Sequence, residues 1–233
     1  YLEDHSRDIG SDRHRPELGW GIAVADFNQD GRRDVFVANG QIYPQVYGLG
    51  DPQDRYELPP RVYLGAAPER LVELPPTQAF RWADRSVPTL APTLAGVGAD
   101  PGRPAAGADR ERTIAFSLRA IATEDLDNDG DVDVVAVQHN GPLVVFENQS
   151  NKQGAVITLR TRNGGLSPHG AHIRIGKWHH FQWPGQGYQC SHDPRVFLTG
   201  LEGDTARVDW PDGTTSTHFI PAAGQCAIWQ AGP

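Results

Sequence analysis

The run Asp125-Leu126-Asp127-Asn128-Asp129-Gly130-Asp131-Val132-Asp133 puts five aspartates and one glycine into nine residues. Carboxylates held that close repel one another unless a counter-ion sits among them. Asp125, Asp127 and Asp129 fall at positions 1, 3 and 5 of the run. Gly130 at position 6 permits a sharp turn, Asp131 at 7 can offer its carbonyl, and Asp133 at 9 closes the shell. Such an oxygen-rich, flexible ligand set suits Ca2+. The pattern also occurs earlier, where Asp26, Asn28, Asp30, Arg32 (through its carbonyl) and Asp34 take the corresponding places. Two Ca2+ sites are therefore expected.

The two runs belong to a repeat. A shift of 99 residues aligns Ile22 with Ile121, Ala23 with Ala122, Asp26 with Asp125 and Asp30 with Asp129. It also aligns Gly31 with Gly130, Asp34 with Asp133 and Val35 with Val134. Agreement at ligands and at flanking apolar positions points to a duplicated unit. An EF-hand is excluded, because that loop needs a Glu at position 12 and a helix on each side. Position 12 here is Val37 or Ala136, each inside a β-like run. A metal that only pins a turn by neutralising its carboxylates is structural rather than catalytic.

Strand signals and turn residues divide the chain. Residues 1–18 are a polar arm. Residues 19–74 carry four short strand-like runs, 21–25, 35–38, 61–64 and 70–74, with the first aspartate loop between the first two. Four antiparallel strands are the size of one propeller blade. Residues 75–112 are rich in Pro, Ala, Gly and Thr and read as an inserted loop with at most a short helical turn. A second blade-like unit follows at 113–150. Residues 151–233 contain six strand-like runs and no aspartate loop, so they form a separate small sandwich or barrel. The fold class is all-β, in keeping with 26 Gly and 19 Pro in 233 residues.

The net charge of -8, with no basic stripe to offset it, argues against nucleic acid as a partner. No apolar run approaches the ~20 residues of a membrane-spanning helix. The chain opens on Tyr1 and contains no Met, so it reads as processed or excised, and the lack of a targeting segment says nothing. Cys190 and Cys226 are the two cysteines. An even count fits a disulfide, which calcium-rich extracytoplasmic surroundings would favour; two buried thiols are the alternative.

Five histidines, His169, His172, His179, His180 and His192, lie close together in sequence. His179 and His180 would point to opposite faces of a strand, so at most one of them joins any site, and surface or loop histidines are favoured over a metal centre. His180 or His192 with Asp193 forms a weak acid–base candidate without a nucleophile motif. Trp178, Trp183 and Tyr188 could form a platform for carbohydrate or an apolar ligand, although a small β-module also needs aromatic core.

Residues 19–28 and 39–46 resemble the late FG-GAP (VCBS-type) repeats of the cartilage acidic protein family, whose blades are integrin-like. Residues 151–230 resemble the ASPIC/UnbV domain that ends those proteins, carried by Gly187-Tyr188-Gln189-Cys190-Ser191-His192-Asp193-Pro194-Arg195 and by Ala206–Gly213. The resemblance implies a secreted or surface protein with calcium-bearing propeller blades. Its bacterial members include some encoded with natural-product pathways such as those for enediynes. Family members carry more blades, and two blades cannot close a propeller, whose usual minimum is four. An N-terminal part, another chain or an open packing would then complete the structure. Cys190 stands where the family has a small polar residue, and pairing with Cys226 would account for it.

The resulting expectation is a calcium-stabilised binding or assembly module for a protein or carbohydrate ligand. The alternative is a calcium-dependent enzyme or accessory protein of bacterial secondary metabolism, with its pocket near Trp178–His192. Four carboxylates at 125–133 against three at 26–34, where Arg32 and Arg33 add positive charge, make the second loop the tighter calcium site. Titration of the wild type and of single-loop variants should rank them in that order.

Overall fold

The computed structural model describes residues 7, 17–43, 55–66, 70–74, 80–81, 116–148, 150, 154–165, 169–183, 185, 187–201 and 203–230. Among these the regular elements are all strands. Strands β1 (Gly19–Ala25), β2 (Asp34–Asn39), β3 (Arg61–Ala66) and β4 (Arg70–Leu74) form one antiparallel sheet in sequential order. Glu17, in the segment read as a polar arm, is tied to this sheet by an ion pair with Arg61, which also meets Glu73 at 2.9 Å.

The second sheet departs from the sequence reading. Its strands are β5 (Phe80–Arg81), β6 (Leu118–Glu124), β7 (Asp133–Gln138) and β8 (Leu143–Asn148), in the order β5-β8-β7-β6. The stretch taken as an inserted loop thus contributes the fourth strand, with Phe80 opposite Asn148. Two residues are too short a run to show period-2 alternation, so composition alone hid them. The rest of the expected loop lies outside the described residues.

The 99-residue repeat holds in three dimensions. Ile22 faces Val37 as Ile121 faces Ala136, and Ala25 faces Asp34 as Glu124 faces Asp133. Each first strand also carries a register shift, between Gly19 and Gly21 and between Leu118 and Ile121. Phe36, Val62, Leu118, Ile121, Val134 and Phe146 bury one core shared by both sheets. Strand β1 turns its small residues, Gly21 and Ala23, to the inside and leaves Ile22 and Val24 exposed. The reason is the closeness of β6: a Cβ on Gly21 would lie 2.7 Å from the Arg119 carbonyl oxygen.

The C-terminal unit is a two-sheet sandwich. One sheet has the order β11 (Trp178–Phe181), β10 (His172–Ile175), β13 (Thr205–Asp209), β14 (Thr215–Phe219). The other has the order β12 (Val196–Leu198), β9 (Ala155–Arg160), β15 (Gly224–Trp229), with β15 parallel to β9. Ile157, Leu159, Ile173, Val208, Trp210 and Ile228 fill the space between the sheets. Strand β11, on which the reading of His179 and His180 relied, is not among the six strand-like runs, because Trp-His-His-Phe carries no apolar alternation, yet it pairs residue for residue with β10.

Segment 187–195 joins the sandwich to β6, the terminal strand of its sheet. The Cys190 thiol donates to the Ile121 carbonyl at 2.6 Å, Thr123 N–H donates to His192 Nδ1 at 3.0 Å, and Asp193 N–H donates to the Thr123 carbonyl at 2.9 Å. The open backbone edge of β6 is satisfied in this way. The expected disulfide does not form: both cysteines are free thiols. Cys190 faces β6, whereas Cys226 packs against the sandwich core.

Replacing Gly21 by Ala should lower the unfolding free energy by about 1–3 kcal/mol, because the methyl has no room against β6. Urea denaturation of the variant beside wild type measures this, and an unchanged midpoint would contradict so close a β1–β6 approach.

Candidate metal centre

Both aspartate loops take positive φ at the same two positions. Gln29 and Asn128 take positive φ of 53° and 62°, and Gly31 and Gly130 take 85° and 97°. Asn reaches this region with little strain, and Gly with none. The position-9 carboxylates are buried and play identical parts. Asp34 Oδ2 accepts the Phe27 amide at 2.8 Å and Oδ1 accepts the Gly65 amide at 2.8 Å. Asp133 Oδ2 accepts the Leu126 amide and Oδ1 the Asn148 amide, each at 2.8 Å. Each carboxylate therefore ties the start of its loop to the end of a neighbouring strand. Burial nevertheless pushes both carboxyls up to about 6, with the amides pulling the other way.

Elsewhere the loops differ. In the first, Asp26 Oδ1 and Oδ2 accept the amides of Asp30 and Gly31, both at 2.9 Å. Asn28 Nδ2 donates to Asp30 Oδ2 at 3.2 Å, and Arg32 N–H donates to Asp30 Oδ1 at 3.0 Å. This loop satisfies its own oxygens. In the second, ligand atoms of Asp125, Asp127 and Asp133 converge within 4.8 Å of one another, the one such acidic group among the described residues. Asp129 stands outside it and accepts the Asp131 amide at 3.1 Å.

Three buried oxygens of the second loop, Asp125 Oδ1 and both of Asp131, have no hydrogen-bond partner. Burial pushes the Asp131 carboxyl up to about 8, with Asp129, Asp133 and Asp127 adding repulsion. Asp125 is also raised by burial, against the Gly130 amide and Arg195. Unpartnered buried carboxylate oxygens are expensive and rare. A hard divalent cation is the group whose chemistry they fit, since Ca2+ takes six to eight oxygen ligands. Sequence reasoning gave Asp131 only a carbonyl role and missed its side chain. The signal was its counterpart, Arg32, the one loop position where the two copies differ in charge sign.

The loops also touch each other and the sandwich. Gln29 Nε2 donates to the Gly130 carbonyl at 3.0 Å, and Asn148 Nδ2 donates to the carbonyls of Phe27 and Val132 at 2.7 and 3.2 Å. Arg33 reaches the His179 carbonyl at 2.5 Å and lies over the Trp178 ring. Arg195 donates to the Asp125 carbonyl at 3.1 Å.

The histidines do not assemble a centre. His179 and His180 face opposite sides of β11, as expected: His179 stacks on His172, and His180 stacks on Trp178. The His180 ring, its pKa lowered by burial, meets Gln182 Oε1 at 3.0 Å. His169 is exposed in a turn. Thr123 N–H donates to His192 Nδ1 at 3.0 Å, and Arg195 Nε donates to Asp193 Oδ2 at 2.6 Å. Trp178 packs on the sandwich core, Trp183 is exposed, and Tyr188 lies 5.5 Å from Trp20. His180, His192 and Asp193 do line a cavity of about 90 Å³ between the first loop and the sandwich.

Residues 18–50 match the FG-GAP repeat. The matched stretch covers β1, the first aspartate loop and β2, the hairpin that β6 and β7 repeat. No curated protein matches the chain.

The pH dependence follows from the raised carboxyls. Folded Asp34, Asp131 and Asp133 hold protons up to about 6, 8 and 6, whereas the unfolded chain releases them near 4. The folded state binds more protons in that window, so this contribution is fully present below pH 4 and is lost as pH rises to 8. In chelator the melting temperature should fall from pH 5 to pH 8. Excess calcium should flatten that fall, as read by differential scanning calorimetry at fixed ionic strength.

Proposed function

We propose that the chain is a calcium-stabilised binding or assembly module of the extracytoplasmic space, built from propeller-type blades and a C-terminal ASPIC/UnbV-like sandwich. The observation that carries the calcium reading is the convergence of Asp125, Asp127 and Asp133 beside the unpartnered oxygens of Asp125 and Asp131. Asp125, Asp127 and Asp133 would hold the ion by carboxylate oxygens, with Asp131 close enough in sequence to complete the shell. The ion is structural: its loop binds the neighbouring loop through Gln29 and Asn148 and the sandwich through Arg195, so neutralising it fixes a junction.

The FG-GAP match supports a role in protein binding, the general use of such repeats. Exposed Trp183 and Phe181 on the sandwich, and Ile22 and Val24 on β1, give apolar surface for a partner. A calcium-rich compartment outside the cytoplasm is where a site of this carboxylate type is filled. The enzyme reading has one observation in its favour, the cavity reached by His180 and His192. Its volume of about 90 Å³ is well below the ~300–1,000 Å³ of small-molecule sites.

Millimolar calcium should raise the melting temperature of the chelated protein by about 5–10 °C at a hundredfold excess over Kd. Asp127→Asn should remove most of that shift and Asp30→Asn little of it. An unchanged melting temperature on calcium addition sinks the metal reading. A pathway substrate turned over by wild type and not by His180→Ala or His192→Ala would favour the enzyme instead.

A further inference from the structure

We propose that Arg195 of the sandwich is a positioning residue of the 125–133 cation site, so that cation binding and docking of the sandwich on β6 are one linked equilibrium. This rests on the reading of that loop as a cation site and adds a second module to it.

Arg195 is fixed before it reaches the loop. Asp193 Oδ1 accepts its backbone amide at 2.8 Å, and Asp193 Oδ2 accepts from Nε and NH2, both at 2.6 Å. The guanidinium lies over the Phe197 ring, 5.4 Å from its centroid, and its side chain is only 17% exposed. A guanidinium held by two of its nitrogens on one carboxylate oxygen loses little further freedom when it makes its next contact.

That contact is Asp125, the first residue of the loop. NH2 donates to the Asp125 carbonyl at 3.1 Å, and NH1 stands 3.7 Å from Asp125 Oδ2. One side of Asp125 is thereby occupied, while Oδ1, buried and without a hydrogen-bond partner, remains for the cation. The same segment grips the residues just before the loop, through Cys190 on Ile121 and through His192 and Asp193 on Thr123. Partners that orient a metal's ligands without touching the metal commonly set its affinity by 10- to 100-fold. In the first loop Asp26 accepts backbone amides of its own loop, and Arg33 reaches outward to the His179 carbonyl.

Linkage makes the effect reciprocal. If Arg195 prepares Asp125 for the cation, the cation must strengthen the docking of segment 187–195. The charge of Arg195 opposes a cation nearby, so the informative substitution keeps the charge and removes the fork. Arg195→Lys should weaken calcium binding about tenfold by isothermal titration calorimetry on the full chain. In wild type, calcium should slow hydrogen exchange at the Thr123 and Asp193 amides, and Arg195→Lys should abolish most of that protection. An arginine that only stabilised the fold would lower the melting temperature and leave the calcium Kd where it was. Wild type without calcium heat overturns the cation site itself. Wild type that binds calcium with no added protection at Thr123 and Asp193, or with the same Kd in a folded Arg195→Lys, overturns the coupling alone. The exchange measurement needs no variant, so it decides even where the substitution does not fold.

Discussion

Two buried carboxylates, Asp34 and Asp133, hold the repeated hairpins in shape from within. Each accepts one amide from the loop it closes and one from a strand end, Gly65 or Asn148, far along the chain. Hydrogen bonds to a charged acceptor are about twice as strong as neutral ones, and a buried carboxylate without them would be costly. The loop backbones follow from these anchors, down to matching positive φ at Gln29 and Asn128. From the loops follow the shared core, the cross-links through Gln29 and Asn148, and the seat on which the sandwich rests.

The duplicated loops show how one backbone can serve two electrostatic ends. The first closes on itself, its Asp26 and Asp30 oxygens taken up by amides and by Asn28. The second keeps a carboxylate where the first has Arg32, and it leaves Asp125 Oδ1 and both Asp131 oxygens buried without a hydrogen-bond partner. The loops differ in charge at position 3 (Asn28 against Asp127), position 7 (Arg32 against Asp131) and position 8 (Arg33 against Val132), and among the described residues the buried carboxylate oxygens without a hydrogen-bond partner lie in the second.

Much of this was legible in the residues, and the exceptions have physical causes. The hairpins were readable because Asp, Gly and apolar positions recur at fixed spacing, and β9, β10 and β13 because their apolar residues form compact runs. Strand β11 left no apolar run to find, because its pairing with β10 is set by a two-residue turn and not by alternation in Trp-His-His-Phe. Strand β5 was hidden by its length. The inward face of β1 ran against hydrophobicity, since closeness to β6 selects Gly21 and Ala23 over Ile22 and Val24. Within the site, position numbers located the ligands but not their partners. Nothing local in Asp131 announces a buried carboxylate, and nothing in Asp193-Pro194-Arg195 announces a reach to Asp125. The expected Cys190–Cys226 bond failed for the same reason: the thiols pack against different modules, a matter of topology and not of count.

The parallel pairing of β9 and β15 has a mechanical consequence. The first and last strands of the sandwich lie side by side over six residue pairs, from Ala155 with Gly224 to Arg160 with Trp229. Tension applied between the start of β9 and the end of β15 would slide the two strands past each other, loading their hydrogen bonds together. An antiparallel terminal pair pulled from a shared end would instead open one bond at a time. Along that line the sandwich would yield by shear rather than by unzipping.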